Sequence, residues 1–178
     1  MKIIYTIGHS SLDFNDFLRP LCAHCIERLV DVRRYPGSRT FPQYNRDHLA
    51  EEIAKASGEY YWLDGLGGRR STKTLSCEND GWQVDSFHAY ADYMSTDEFK
   101  IALKELEDIA APANTAIMCA EALWTRCHRR LISDALLVRG WRVYHIIGER
   151  TEEHHLTEFA KVHGEELRYP APGKLQLC

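Results

Sequence analysis

The chain has 178 residues, 44% of them hydrophobic and 27% charged, a composition that supports one buried core and an ordinary water-facing surface. Lys+Arg 22 against Asp+Glu 26 give a formal net charge of -4, which argues against a surface coated by nucleic acid but leaves room for a local basic cleft. No apolar run approaches the roughly 20 residues of a membrane helix. The short apolar start lacks the basic region and cleavage site of a signal peptide, so a cytoplasmic chain with no membrane partner is expected.

Lys2 to Ile7 is an apolar, β-branched run closed by Gly8 and predicts a buried strand. Ser10 with Asp13 resembles a capping box, and Phe14, Phe17, Leu18 and Leu21 follow at helical spacing, with Pro20 expected to kink or end the helix. Leu29 to Val32 predicts a second strand, Arg33 to Asn45 a loop, His48 to Ala56 a helix and Tyr60 to Leu63 a third strand. Asp64 to Asp85 has no periodicity, and a loop of that length is a lid, a binding loop or disorder. Ser95 with Glu98 predicts a capped helix with Phe99, Ala102, Leu103, Leu106 and Ile109 as its buried stripe. Asn114 to Met118 is a fourth strand, Arg126 to Arg139 a helix stopped at Gly140, and Arg142 to Ile147 a fifth strand. His154 and His155 fall on a polar C-terminal helix and read as surface residues.

This alternation predicts a single three-layer α/β domain over residues 1–178, with a mostly parallel sheet of about five strands flanked by helices. A long loop lies at about 64–85, and a C-terminal helix plus tail follows about residue 150. The six cysteines, in a chain without an export signal, read as reduced thiols. Cys22 and Cys25 form a C-x-x-C, but it sits late in a helix and not at an N-terminus, so they read as small buried residues.

Polar clusters follow three of the strands: Gly8-His9-Ser10, Asp31-Val32-Arg33-Arg34 and Cys119-Ala120-Glu121. Ligands of open parallel sheets sit beyond the strand carboxyl ends, so these clusters are expected to converge on one site. The stretch from Met118 to Arg130 runs from a strand into a helix, with Arg126, Arg129 and Arg130 in its first turns. Cations are unfavourable there, so a carboxylate such as Glu121 or an anionic ligand is expected nearby, and Cys119 is expected to be partly thiolate. His128 aligns with Leu131, Ile132 and Ala135 and should face the sheet, either as a core histidine bonded to a backbone carbonyl or as a catalytic one. Zinc binding by Cys119, Glu121, Cys127 and His128 meets one objection: adjacent helical residues point about 100° apart, so Cys127 and His128 should not share an ion. The loop from Arg33 to Tyr44 interleaves arginines with aromatics, a pattern that suits phosphates and base faces, and Gly67-Gly68-Arg69-Arg70 with Lys73 adds a second basic loop.

Taken together, Thr6-Ile7-Gly8-His9-Ser10, Leu29-Val30-Asp31-Val32-Arg33 with Pro36, Ser38, Arg39 and Phe41, Leu66-Gly67-Gly68, and Met118-Cys119-Ala120-Glu121 with Cys127-His128-Arg129 resemble the DUF488 family. The likeness covers roughly Lys2 to Ile147. It implies a small α/β protein of unassigned activity, with motif residues His9, Ser10, Arg33, Ser38, Arg39, Cys119, Glu121, Cys127, His128 and Arg129. Cys25 stands where the family pattern has a glycine. A weaker likeness connects the Cys119 segment to rhodanese-type and Cys-x5-Arg phosphatase loops. The spacing from Cys119 to Arg126 is one residue longer, and the glycine-rich cradle is missing.

The resulting expectation is an enzyme acting on an anionic, phosphate-bearing substrate, either a nucleotide or a nucleic-acid-like molecule. Cys119 acts as nucleophile or redox thiol, and Glu121 and His128 as acid and base, with His9 beside them. Ser10, Arg33, Ser38, Arg39, Phe41 and Arg129 hold the substrate. No cofactor and no metal is expected. A non-catalytic nucleic-acid-binding module and a metal-stabilised domain stand as the other readings, and the sequence specifies neither the reaction nor the oligomeric state.

Overall fold

The computed structural model describes residues 2–173. Its strands are β1 (Lys2–Gly8), β2 (Arg28–Asp31), β3 (Glu59–Trp62), β4 (Thr115–Cys119), β5 (Trp141–Ile147) and β6 (Arg150–Glu153). They form one sheet in the order β3-β2-β4-β1-β5-β6, parallel except for β6, which runs antiparallel to β5. The sheet therefore has one strand more than expected.

The helices are α1 (Phe14–Ala23), α2 (Arg46–Lys55), α3 (Asp85–Tyr93), α4 (Asp97–Ala110) and α5 (Arg129–Val138). Strand side chains alternate between faces, and this divides the core into two layers. Ile7, Leu29, Ala116, Met118 and Ile146 pack under Phe17 and Leu21 of α1 and Leu49 and Ile53 of α2. Ile4, Val30, Ile117, Cys119 and Val143 pack under Tyr90 of α3, Phe99 to Ala110 of α4 and Leu131 to Leu136 of α5. Cys119 thus shares a face with Ile117 and with helix α5, the arrangement that carries the site.

Several local expectations are corrected. Pro20 lies inside α1 without ending it, and α1 begins only at Phe14, after Ser10 has taken a left-handed turn (φ 48°). Thr96, not Ser95, caps α4, accepting from Phe99 N–H. Helix α5 starts at Arg129, so Arg126 lies in the separate turn Trp124–Arg126 and Cys127 is extended. The segment after residue 150 holds no helix among the described residues: β6 is followed by the hairpin of β7 (Lys161–His163) and β8 (Glu166–Arg168). His154 is buried at 2% exposure, while His155 is exposed as expected. Cys22, Cys25, Cys119 and Cys127 are free thiols, but Cys22 and Cys25 are exposed, not buried. Cys77 is disulfide-bonded, which corrects the expectation of a reduced thiol there, and Cys178 lies outside the described residues. No helix of the described residues is long and apolar enough to cross a membrane.

The long loop between β3 and α3 is a folded wall. Tyr90 Oη donates to Leu66 O (2.7 Å), Tyr93 Oη to Gly65 O (2.6 Å) and Arg70 Nε to Gly67 O (2.8 Å), and the Arg70 guanidinium lies over the Tyr93 ring.

Candidate functional site

Strands β2, β4 and β1 are neighbours, so the loops leaving their carboxyl ends meet. The β1–β4 ladder continues beyond both strands, with His9 N–H donating to Cys119 O (3.0 Å) and Ser10 N–H to Ala120 O (2.9 Å). Gly8 makes this approach sterically feasible. A Cβ at Gly8 would lie 1.8 Å from Glu121 O, an immovable backbone atom.

Arg33, from the end of β2, is locked in place. Its backbone N–H and Nε donate to Asp31 Oδ1 (2.9 Å each), and Nη2 donates to Asp31 Oδ2 (2.6 Å) and Tyr44 O (2.7 Å). Tyr60 Oη also donates to Asp31, whose side chain is fully buried. Nη1 donates to His9 Nε2 at 3.3 Å, while His9 Nδ1–H donates to Ser10 O (2.8 Å) and the ring stacks on Tyr44. Burial, then the Arg33 charge, pull the His9 pKa down to about 4 against the opposing Ser10 carbonyl and Asp31, so His9 is a neutral support for Arg33.

Cys119, Cys127 and His128 form a compact trio. His128 Nε2–H donates to Val32 O (3.1 Å), which turns the lone pair of Nδ1 toward Cys127 Sγ (3.6 Å) and Cys119 Sγ (3.9 Å). The sequence objection to a shared Cys127–His128 site assumed that both are helical. The extended Cys127 ahead of α5 removes it. Burial pushes the Cys127 thiol up, but the hydrogen bond from Cys119 and the neighbouring His128 and Arg129 outweigh it and hold it well below the usual thiol range. Cys119, donating to Cys127 and buried, is held well above that range, so Cys127 takes the thiolate character expected of Cys119. Gly68 covers the trio: a Cβ there would come within 3.0 Å of His128 Nδ1.

Beneath the trio lies Arg129, 1% exposed, with no acidic partner among the described residues. Nε and the backbone N–H donate to Cys127 Sγ (3.4 and 3.5 Å), Nη2 to Glu121 O and Ala122 O, and Nη1 to Thr6 Oγ1 (3.3 Å). Thr6 donates on to His145 Nδ1 (2.8 Å), His145 Nε2 to His154 Nδ1 (3.0 Å), and His154 Nε2 to Asp134 Oδ1 (2.9 Å). Burial, then His154 and Arg129, lower the His145 pKa to about 2, so it is neutral. Sequence reasoning missed this chain. Its one available signal is that Thr6 and His145 are polar interruptions of two apolar strands, and the structure pairs them in register.

Two adjoining cavities open over these groups. The smaller, about 310 Å³, has the trio on its floor and Arg33, Arg34, Tyr35, Gly68, Arg69, Tyr90, Glu121 and Arg126 around it. The larger, about 540 Å³, shares Arg33, Tyr35, Arg69, Glu121 and Arg126 and adds His9, Ser10, Ser38 and Phe41. Of the sequence candidates, His9, Ser10, Arg33, Ser38, Phe41, Cys119, Glu121 and His128 therefore line one double cavity. Arg39 is exposed and lines neither cavity, and buried Arg129 supports the floor from below. Ser38 also shapes its loop, accepting from Thr40 N–H and Phe41 N–H. Arg34, Arg69 and Arg126, whose sequence signal was the basic loops, face the cavities and have no acidic partner among the described residues.

The chain is thus an open-sheet α/β protein with a thiol–imidazole cavity floor and an arginine rim beyond its strand ends. The family model described as "Domain of unknown function DUF488" matches residues 13–136, and the chain belongs to that family. No curated protein and no solved structure is matched by the chain.

Proposed function

We propose that this DUF488 protein is an enzyme acting on a small phosphate-bearing substrate of about nucleotide size, held in the double cavity. What supports the reading most is the set of three guanidiniums without an acidic partner among the described residues, Arg34, Arg69 and Arg126, facing a cavity floored by Cys119, Cys127 and His128. Arginines without carboxylate partners attract oxyanions through charge-assisted, often bidentate bonds. Cavities of about 310 and 540 Å³ fall in the range of small-molecule sites. Exposed Tyr35, at the mouth of both, offers a ring face to a planar group. Glu121, exposed on the shared wall without an ion-pair partner among the described residues, is the group that moves a proton, and the thiol–imidazole floor is where a bond is made or broken.

Calorimetry at low salt with inorganic phosphate, a nucleoside monophosphate and a short oligonucleotide tests the reading. The monophosphate binds best, and Arg69→Gln and Arg126→Gln each weaken it about 5- to 10-fold. Tighter binding of the oligonucleotide, with no turnover of any monophosphate, would favour a nucleic-acid-binding module. No affinity for any anion would overturn both.

A further inference from the structure

We propose that Cys119, Cys127 and His128 bind a divalent cation of the zinc class, with its fourth coordination position open to the smaller cavity. The three ligand atoms, Cys119 Sγ, Cys127 Sγ and His128 Nδ1, all lie within 4.8 Å of one another. A tetrahedral ion with bonds of about 2.3 Å to sulfur and about 2.0–2.1 Å to nitrogen separates sulfur from nitrogen by about 3.6 Å. The two thiols stand 3.6 and 3.9 Å from Nδ1, so both sulfur–nitrogen spacings lie within a few tenths of an ångström of that value.

Three further observations point the same way. His128 gives its Nε2–H to the Val32 carbonyl, the outer partner that ligating imidazoles commonly have, and so presents Nδ1 as a lone pair. Arg129, buried without an acidic partner among the described residues, directs two N–H groups at Cys127 Sγ and is the counter-charge that a ligating thiolate needs. All three ligands line the smaller cavity, so one side of the ion is open. Binding replaces the Cys119 S–H bond, whose proton had been shared with the Cys127 thiolate, so that two metal–sulfur bonds form and one proton is released to solvent. The resulting centre, one 2+ ion with two thiolates, carries no net charge. Glu121, on the cavity wall, is not in the group, which leaves the fourth position for water or an oxyanion. The oxyanion part of the inference rests on the substrate reading above, whereas the metal site stands on its own geometry.

Full-length protein, prepared reduced and metal-free, is titrated with Zn²⁺ and with Co²⁺. One equivalent binds, and Co²⁺ develops the intense visible bands of a four-coordinate thiolate site. Cys119→Ser, Cys127→Ser and His128→Asn each lower metal affinity at least tenfold, while Cys22→Ser with Cys25→Ser changes nothing. A wild-type chain that stays metal-free at an excess of either ion overturns the inference. So does Co²⁺ binding unaffected by a combined Cys119→Ser and Cys127→Ser change, and these results hold even if single variants fold poorly. Inorganic phosphate added to the Co²⁺ protein shifts the visible bands if it reaches the fourth position. Phosphate binding by a chain that takes up neither ion at excess would sink the metal site and spare the substrate reading. Metal binding without affinity for any anion would do the reverse.

Discussion

Arg129 aims two N–H groups at Cys127: Nε at 3.4 Å and the backbone at 3.5 Å converge on one buried sulfur. Because residues i and i+2 straddle the start of α5, the sulfur occupies the helix N-terminus, where the backbone itself presents positive potential. The rest of the guanidinium is spent on carbonyls and Thr6, so Arg129 has no freedom to reach into the cavity. Its positive charge acts from below the floor, on Cys127 and Cys119 and on the neighbouring His145 and His9. The rim arginines face the cavities, and this one lies beneath their floor.

The carboxylate that orients Arg33 is the next point of leverage. Asp31→Asn removes the charge from a fully buried group that accepts from three N–H groups of Arg33 and from Tyr60. Breaking one partner of a buried ion pair costs about 3–5 kcal/mol. Urea denaturation should report a loss in that range, and a loss below about 1 kcal/mol would show that Arg33 is not held as described.

Gly8→Ala is expected to be worse than an ordinary glycine replacement. The new methyl meets Glu121 O at 1.8 Å, and both partners are backbone. Overpacking of this kind costs about 3 kcal/mol or more, and the strain falls on the β1–β4 junction beneath the cavities. A melting temperature within about 2 °C of wild type would contradict the close approach.

His9 makes stability depend on pH. Its folded pKa of about 4 lies below the ordinary 6.5, so between those values the unfolded chain binds a proton that the folded chain excludes. Stability from this group is complete above about pH 6.5 and is lost as pH falls through 4, by on the order of 3 kcal/mol. Urea midpoints compared at about pH 7 and about pH 4.5 should fall further for wild type than for His9→Asn. An equal fall in both would remove His9 as the cause.

Thiol accessibility separates the cysteines. A bulky maleimide should modify exposed Cys22 and Cys25 about tenfold faster or more than buried Cys119 and Cys127, which react only on opening of the fold. Peptide mapping after brief labelling checks this. Early modification of Cys119 would mean that the cavity floor is open to large reagents.

The apolar β-branched runs made most of the sheet legible, and the polar clusters after β1, β2 and β4 marked the site, because neighbouring parallel strands bring their carboxyl ends together. Helix α3 was not legible: its buried residues His88, Ala89, Tyr90 and Ala91 are consecutive and show no 3.6-residue period. The burial of His154 depends on Asp134, twenty positions away and invisible to any local pattern. The pairing state of Arg129 is likewise illegible: nothing near it in the sequence distinguishes a charge spent on backbone carbonyls and Thr6 from those of Arg69 and Arg126. Arg33 differs, because its partner Asp31 stands two positions away.

The family match begins at residue 13, yet β1 (Lys2–Gly8) is wedged between β4 and β5 as an inner strand with hydrogen bonds on both edges. It ends at residue 136, yet Asp134 relies on His154, Thr157 and Tyr169 for its hydrogen bonds. A fragment trimmed to the shared span would keep only β3, β2 and β4, leave β4 as a bare edge and strand a naked interior carboxylate. Expression work on other members of this family should therefore set its boundaries by these two anchors, keeping everything from the first inner strand through the tyrosine that reaches Asp134.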